Sequence, residues 1–274
     1  MAHAHAVVIR DGAVLTGRDG IHLLAPGEWS ADALIAYLGH DGERDYVAVA
    51  ATEGPDAGAG LVFTPMRALL GTLDGDARRT RERDLALTAI ALVHWHDSHA
   101  HCPRCGRATT VRAGGWVRRC AHCERDHYPR TDPAVIVAIT DADDRLLLAH
   151  ASYWSAHRYS HLAGYVEPGE SFEQAVHREV AEESGLELTG LEYLGSQPWP
   201  FPASVMVGYR ARAVSTELRL DQDEIADAMW VTREGLEAQV REGSVILAPR
   251  GSIARSMLDT WHGDGAALSR LQGD

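Results

Sequence analysis

The segment 164–186, GYVEPGESFEQAVHREVAEESGL, decides how the rest of this chain is read. Pro168-Gly169 signals a turn. Ser171 followed by Gln174 is a capping box and predicts a helix start. Gly185 suits the left-handed position that ends such a helix. Between them Phe172, Ala175, Val176 and Val180 recur at helical spacing and predict an apolar stripe. Glu179, Glu182 and Glu183 stand at i, i+3 and i+4, so they share one face. Like charges one turn apart repel by roughly 0.2–0.5 kcal/mol per pair. Two readings account for the crowding. One is a solvated acidic face. The other is a bound hard cation, since Mg²⁺ takes carboxylate oxygens and keeps positions for phosphate and water.

The full pattern, G-x5-E-x7-R-E-V-x-E-E-x-G-L, fixes Gly164, Glu170, Arg178, Glu179, Glu182, Glu183 and Gly185. It matches the Nudix box, and the chain resembles the Nudix hydrolases. That resemblance implies a metal-dependent attack of water on a pyrophosphate phosphorus, with helix carboxylates holding Mg²⁺ or Mn²⁺. The physics agrees, because carboxylates alone repel a pyrophosphate and cations must stand between them.

Working outward towards the N-terminus, residues 162–166 read as a strand entering the box, and 153–161 as a loop containing Trp154 and Tyr159. Residues 145–150 and the apolar run AVIVAIT at 134–140 read as two more strands, the latter buried. Before them stand Cys102-Pro-Arg-Cys105 and Cys120-Ala-His-Cys123, fourteen residues apart. Two CxxC knuckles at this spacing predict a zinc ribbon, and four thiolates leave no open position for water, so the Zn²⁺ is structural. His94, His96, His99 and His101 are then surplus ligands and are expected on the surface at a helix end. The first 97 residues read as a separate α+β domain: a hairpin turning at Asp11-Gly12, a short helix at 32–38, strands at 46–51 and 60–64 around the loop EGPDAGAG, and helical stretches at 66–70 and 84–95.

Towards the C-terminus, SQPWPFPAS at 196–204 alternates prolines with aromatics and predicts a stiff, extended backbone. Trp199 and Phe201 offer flat faces to a planar base; the plainer reading is a connector whose aromatics fill the core. Strands are expected at 205–213 and 229–231, and helices at 234–242 and 252–261. The array SQPWPFPxS, the ribbon, and the junction HYPRTDPAVIVAI together make the chain similar to the NADH pyrophosphatase (NudC-type) subfamily.

The subfamily resemblance implies hydrolysis of NADH or NAD⁺ to nicotinamide mononucleotide and AMP, and removal of NAD caps from RNA 5′ ends. It implies Glu179, Glu183, Glu224 and the carbonyl of Ala163 as ligands of the catalytic Mg²⁺ or Mn²⁺. Glu182 either moves the proton or completes the metal shell. Gln197, Pro198, Trp199, Pro200, Phe201, Pro202, Ala203 and Ser204, with Tyr128, Ala254 and Arg67, correspond to substrate-contacting positions. The fold it implies is an α/β class Nudix sandwich with a mixed sheet over residues 131–274, preceded by the ribbon (98–130) and the α+β domain (1–97). A homodimer is implied as well. The competing reading is a non-catalytic dinucleotide or ADP-ribose sensor on the same fold.

Composition sets the outer limits. A formal charge of −13 argues against general nucleic-acid binding, although Arg78, Arg79, Arg81 and Arg83 form a local basic run, read as a solvated helix start. No apolar run approaches a membrane span, and the N-terminus does not read as a signal peptide. Four clustered cysteines favour a metal site in a reducing compartment, with the cytoplasm as the expectation.

Overall fold

The computed structural model describes residues 3–30, 33, 35–52, 60–73 and 77–272. It divides into two compact units, Met1–Thr131 with Trp199–Ala203, and Asp132–Pro198 with Ser204–Asp274.

In the first unit, β1 (His5–Arg10) and β2 (Ala13–Gly17) form the expected hairpin. Asp11 and Gly12 carry it with φ of 50° and 74°, as a tight two-residue turn needs. Five more strands complete a mixed sheet: β3 (Gly20–Ile21), β4 (Leu23–Leu24), β5 (Ile35–His40), β6 (Asp45–Ala50) and β7 (Val62–Pro65). The order is β3-β2-β1-β6-β5, with β4 on β1, β7 on β2, and β1 parallel to β6. The helix expected at 32–38 is replaced by β5. Ile35, Ala36 and Tyr37 pair with Val49, Ala48 and Val47, and that sheet pairing overrides a weak local helical pattern. Asp32 and Leu34, like the loop at 53–59, lie outside the described residues.

Next come α1 (Met66–Leu69) and α2 (Ala77–Ser98). Ala86, Ala89, Ile90 and Val93 of α2 pack on Val7, Ile9 and Val14. The helix begins seven residues before the apolar pattern does, and the arginine run forms its first turns. Arg78 pairs with Glu82 and Arg81 with Asp41, each at 2.7 Å. Of the four histidines, His101 is exposed as expected, His94 and His99 are half-buried, and His96 departs outright. His96 is buried, donating from Nε2 to the Gly115 carbonyl (2.8 Å) and accepting at Nδ1 from the buried Arg118 (2.9 Å). It fixes the end of α2 to the ribbon, a role that no spacing rule announces.

The ribbon is a three-stranded antiparallel sheet, β8 (Thr109–Arg112), β9 (Val117–Cys120) and β10 (Asp126–His127). It packs within the first unit through its tip. Trp116 Nε1 donates to the Tyr37 carbonyl at 2.6 Å. Gly115 approaches Ala36 so closely that a Cβ there would lie 2.5 Å from the Ala36 Cα.

The second unit is a six-stranded mixed sheet: β11 (Asp132–Thr140), β12 (Leu146–Ala151), β13 (Leu162–Tyr165), β14 (Leu188–Trp199), β15 (Ser204–Ala213) and β16 (Ile225–Val231). The order is β14-β15-β11-β12-β16, with β13 on β11 and β15 parallel to β11. Successive residues of AVIVAIT serve opposite faces. Val135, Val137 and Ile139 meet α3 (Phe172–Ser184), while Ile136 and Ala138 meet α4 (Arg233–Glu242), α5 (Ile253–His262) and α6 (Gly265–Gln272). A strand covered on both sides loses polar alternation, hence its continuous apolar run. The fold class is mixed α/β, as expected. Phe172, assigned to the buried stripe of α3, is 40% exposed; Ala175, Val176 and Val180 alone carry that face. The array is extended only to Trp199, after which residues 200–203 turn.

Candidate active site

Helix α3 forms as its caps dictate. The Ser171 hydroxyl accepts from the Gln174 amide, the Gln174 side chain accepts from the Ser171 amide, and Gly185 closes the helix with φ of 70°. The carbonyls left over at its C-terminal end are met by the chain that follows. Arg219 N donates to Ser184 O (2.8 Å) and Asp221 N to Glu183 O (3.2 Å). Glu224 N then donates to Asp221 O, so the helix end itself draws Glu224 towards Glu179 and Glu183.

The acids on α3 differ sharply in setting. Glu183 is buried, and among the described residues its Oε2 has no hydrogen-bond partner. Burial first, and then the charges of Glu179 and Glu224, push its carboxyl up to about 8; a backbone hydrogen bond at Ala163 opposes them. Burial also raises Glu179. Glu182 is exposed. Arg178 ties the group together, donating to Glu170 (2.9 and 3.0 Å), Glu179 (2.9 Å), Glu182 (3.0 Å) and the Tyr165 carbonyl (2.8 Å). It therefore spans the turn, the strand and the helix. Gly164 is required for a plain reason: the Glu179 carboxylate occupies the space that a Cβ there would fill.

An orphaned, buried carboxylate oxygen beside two further acids is a costly arrangement without a counter-ion. The donor set is all oxygen, which suits a hard divalent cation. Arg178 reaches Glu179 and Glu182 but makes no bond to Glu183 among the described residues, so no arginine offsets Glu183 there.

The sequence pattern passed over Tyr165. Ala163 and Tyr165 both face outward from β13 while Leu162 faces in, so two-residue alternation would have marked Tyr165 as a neighbour of Ala163. Its ring is 54% exposed and its hydroxyl lies 3.1 Å from Ser204 Oγ. Of the other expected residues in this unit, Gln197 is occupied structurally. It accepts from the Ile253 amide and donates to the Gly251 carbonyl, each at 2.7 Å, which fixes the start of α5. Pro198 is exposed, and the Ala254 carbonyl accepts from His161 Nε2.

Arg67, Tyr128 and residues 199–203 belong to the first unit. Trp199 and Phe201 meet edge to face at 5.2 Å, and the Arg67 guanidinium lies 5.4 and 4.8 Å from their ring centres. Both aromatics also pack on the sheet core, while Pro200 is buried, Pro202 exposed and Ala203 half-buried. Tyr128 is 66% exposed.

The four cysteines form a metal-binding cage. Cys102–Cys123 and Cys105–Cys120 sulfurs are each 3.6 Å apart, and all four lie within 4.8 Å of one another. A ZnS₄ tetrahedron with bonds of about 2.3 Å has edges of about 3.8 Å, so the cage fits Zn²⁺. Backbone N–H groups, that of Cys123 foremost, pull the Cys120 thiol down to about 6, preparing the thiolate that a metal needs.

Comparison with known proteins agrees with this geometry. The NUDIX domain model matches residues 130–249, and the NADH pyrophosphatase zinc ribbon domain matches residues 97–128. Over 213 residues the chain is 36% identical to human NAD-capped RNA hydrolase NUDT12, covering 73% of this chain and 45% of that one. It is 41% identical over 186 residues to NAD-capped RNA hydrolase NudC of Mycobacterium bovis, covering 65% and 59%. It is 34% identical over 268 residues to Arabidopsis thaliana Nudix hydrolase 19, chloroplastic, covering 92% and 60%. The matched part is thus about half to three-fifths of each relative's length. With the box on α3, the ribbon ahead of it and these relatives in agreement, the chain belongs to the Nudix hydrolases, in the branch that carries the NADH pyrophosphatase zinc ribbon.

Proposed function

We propose that this protein hydrolyses the pyrophosphate of NADH or NAD⁺ to nicotinamide mononucleotide and AMP, and removes NAD caps from RNA 5′ ends. The observation that carries the reading is the buried, unpartnered Oε2 of Glu183 beside Glu179 and Glu224. Glu179, Glu183, Glu224 and the Ala163 carbonyl would hold Mg²⁺ or Mn²⁺. Such an ion, when bound, neutralises pyrophosphate charge and acidifies a water. Water adds to one phosphorus, the bridging P–O bond breaks, and the bridging oxygen leaves with the second phosphate. Glu182 accepts the water's proton; it is exposed, and Arg178 holds one of its oxygens while leaving the other free. Arg178 keeps Glu179 and Glu182 in register during the step.

Tyr165 supplies a ring face beside Ala163, on which a substrate base stacks. Gln197 acts by positioning the start of α5. Arg67, Trp199, Phe201 and Tyr128 in the first unit, and Pro198, Ser204 and Ala254 in the second, are assigned to substrate binding on the resemblance. The same resemblance implies a homodimer, and the clustered cysteines point to a reducing compartment such as the cytoplasm; light scattering and cell fractionation test the two. No helix among the described residues is long and apolar enough to cross a membrane. The deciding experiment incubates the purified protein with NADH and Mn²⁺ and assays AMP. Product is expected with metal and not after chelation; equal turnover in both samples would refute the reading.

A further inference from the structure

Residues 152–160 form a loop between β12 and β13 that the mechanism leaves unused. Its tip carries the most exposed of the large hydrophobic side chains, Tyr153 at 82%. Tyr153 meets Trp154 edge to face at 6.0 Å, and the Arg158 guanidinium lies 4.8 Å from the Trp154 ring centre. An exposed tyrosine beside a half-buried tryptophan that is backed by a cation offers a flat, sequence-tolerant surface to a nucleobase, with a positive charge at hand for the phosphate.

The base of this loop is held firmly. The Tyr159 hydroxyl donates to Asp227 at 2.6 Å, Tyr159 N to Ile246 O at 3.1 Å, and Ile246 N to His157 O at 2.6 Å. The His150 ring donates from Nδ1 to the Arg158 carbonyl at 2.8 Å. A register shift at His150/Ala151 re-aims the chain just before the tip. Tethering of this kind keeps Tyr153 in solvent without a large entropy cost on binding.

The loop is also wired to the carboxylates. Ser152 N donates to Glu224 O, and Ser152 Oγ to Asp223 O, both at 2.8 Å. Glu224 N binds Asp221 O, and Asp221 N binds Glu183 O. Three backbone hydrogen bonds thus connect the catalytic helix to the aromatic tip. Two exposed aromatics therefore attach to the acidic centre: Tyr165 through Gly164, against which Glu179 lies, and Tyr153 through the Glu224 turn.

Resting on the function proposed above, we propose that Tyr153, with Trp154 and Arg158, is the stacking platform for the RNA body of a capped substrate, taking a base beyond the dinucleotide. A free dinucleotide has no such base, so the loop sets specificity rather than chemistry. The test compares kcat/KM for NADH with that for a short NAD-capped oligoribonucleotide, in wild-type protein, Tyr153→Ser and Tyr153→Phe, with melting curves to verify folding. Tyr153→Ser should lower the ratio of capped RNA to NADH by roughly tenfold or more, mainly through KM. Tyr153→Phe, which keeps the ring, should hold the wild-type ratio. An unchanged ratio in Tyr153→Ser, an equal loss on both substrates, or an equal loss in Tyr153→Phe would overturn the assignment. Wild-type protein active only on NADH would overturn it while sparing the dinucleotide hydrolysis. Wild-type protein active on neither would remove both.

Discussion

The zinc ribbon and the acidic cluster on α3 are built on opposite principles. In the ribbon, the four sulfurs already stand at tetrahedral edge distances, held by backbone turns. On α3 the carboxylates do not converge in that way. Among the described residues only the cysteines bring three or more ligating atoms within 4.8 Å of one another. Arg178 draws Glu179 and Glu182 to itself, while Glu183 is buried with one oxygen unpaired among the described residues. A closed cage of soft ligands stabilises a fold, whereas an open set of hard ligands leaves room for substrate. The difference teaches that burial of charge, more than closeness of ligands, sets the acids of α3 apart.

That contrast can be broken most forcefully at the ribbon. Cys120→Ser should abolish the bound zinc, measured by atomic absorption, and unfold the ribbon, because structural zinc contributes on the order of 10 kcal/mol. Retention of zinc with unchanged melting would mean that the cage does not depend on all four thiolates.

Glu183→Gln should lower kcat by roughly a thousandfold, the scale expected when a Lewis-acid site loses a ligand, yet stabilise the metal-free protein. The sign follows from the raised carboxyl. Between its ordinary pKa of 4.5 and about 8 the folded state holds a proton that the unfolded state has released. Metal-free wild type should therefore lose stability as pH rises through that window, and urea melts of Glu183→Gln should lose the slope.

Gly164→Ala sharpens the comparison by moving one carboxylate without deleting it. A methyl group there collides with the Glu179 carboxylate, and activity should fall by about a hundredfold, with zinc content unaltered. Normal turnover would show that Glu179 adapts freely.

The smallest effect is expected at His161, buried and held down to about 4 chiefly by desolvation. Its folded pKa lies below the unfolded value near 6.5. The stabilisation is complete above pH 6.5 and is lost as pH falls towards 4, by about 2 kcal/mol between pH 6.5 and 5. Replacement by Gln should flatten that part of the urea-melt profile.

Much of α3 could be read in advance because its signals are local. Ser171, Gln174 and Gly185 act within one turn of themselves, and their caps form as expected. The CxxC knuckles are local too. Residues 32–38 were misread because β5 owes its form to β6, its partner across the sheet. His96 was misread because its partners, Gly115 and Arg118, come from another element. Phe172 has helical spacing, but its side chain stays 40% exposed on that part of the helix.

The amino-acid order alone determined that α3 exists, that three acids share its face, and that four thiols pair into knuckles. Each of these depends on contacts a few residues long, which spacing encodes. Folding in three dimensions selected which acid is desolvated, brought Glu224 to the helix end through Asp221, and made Arg178 the common partner of Glu170, Glu179 and Glu182. Burial and long-range hydrogen bonding belong to the packed chain, and no periodicity in the sequence records them.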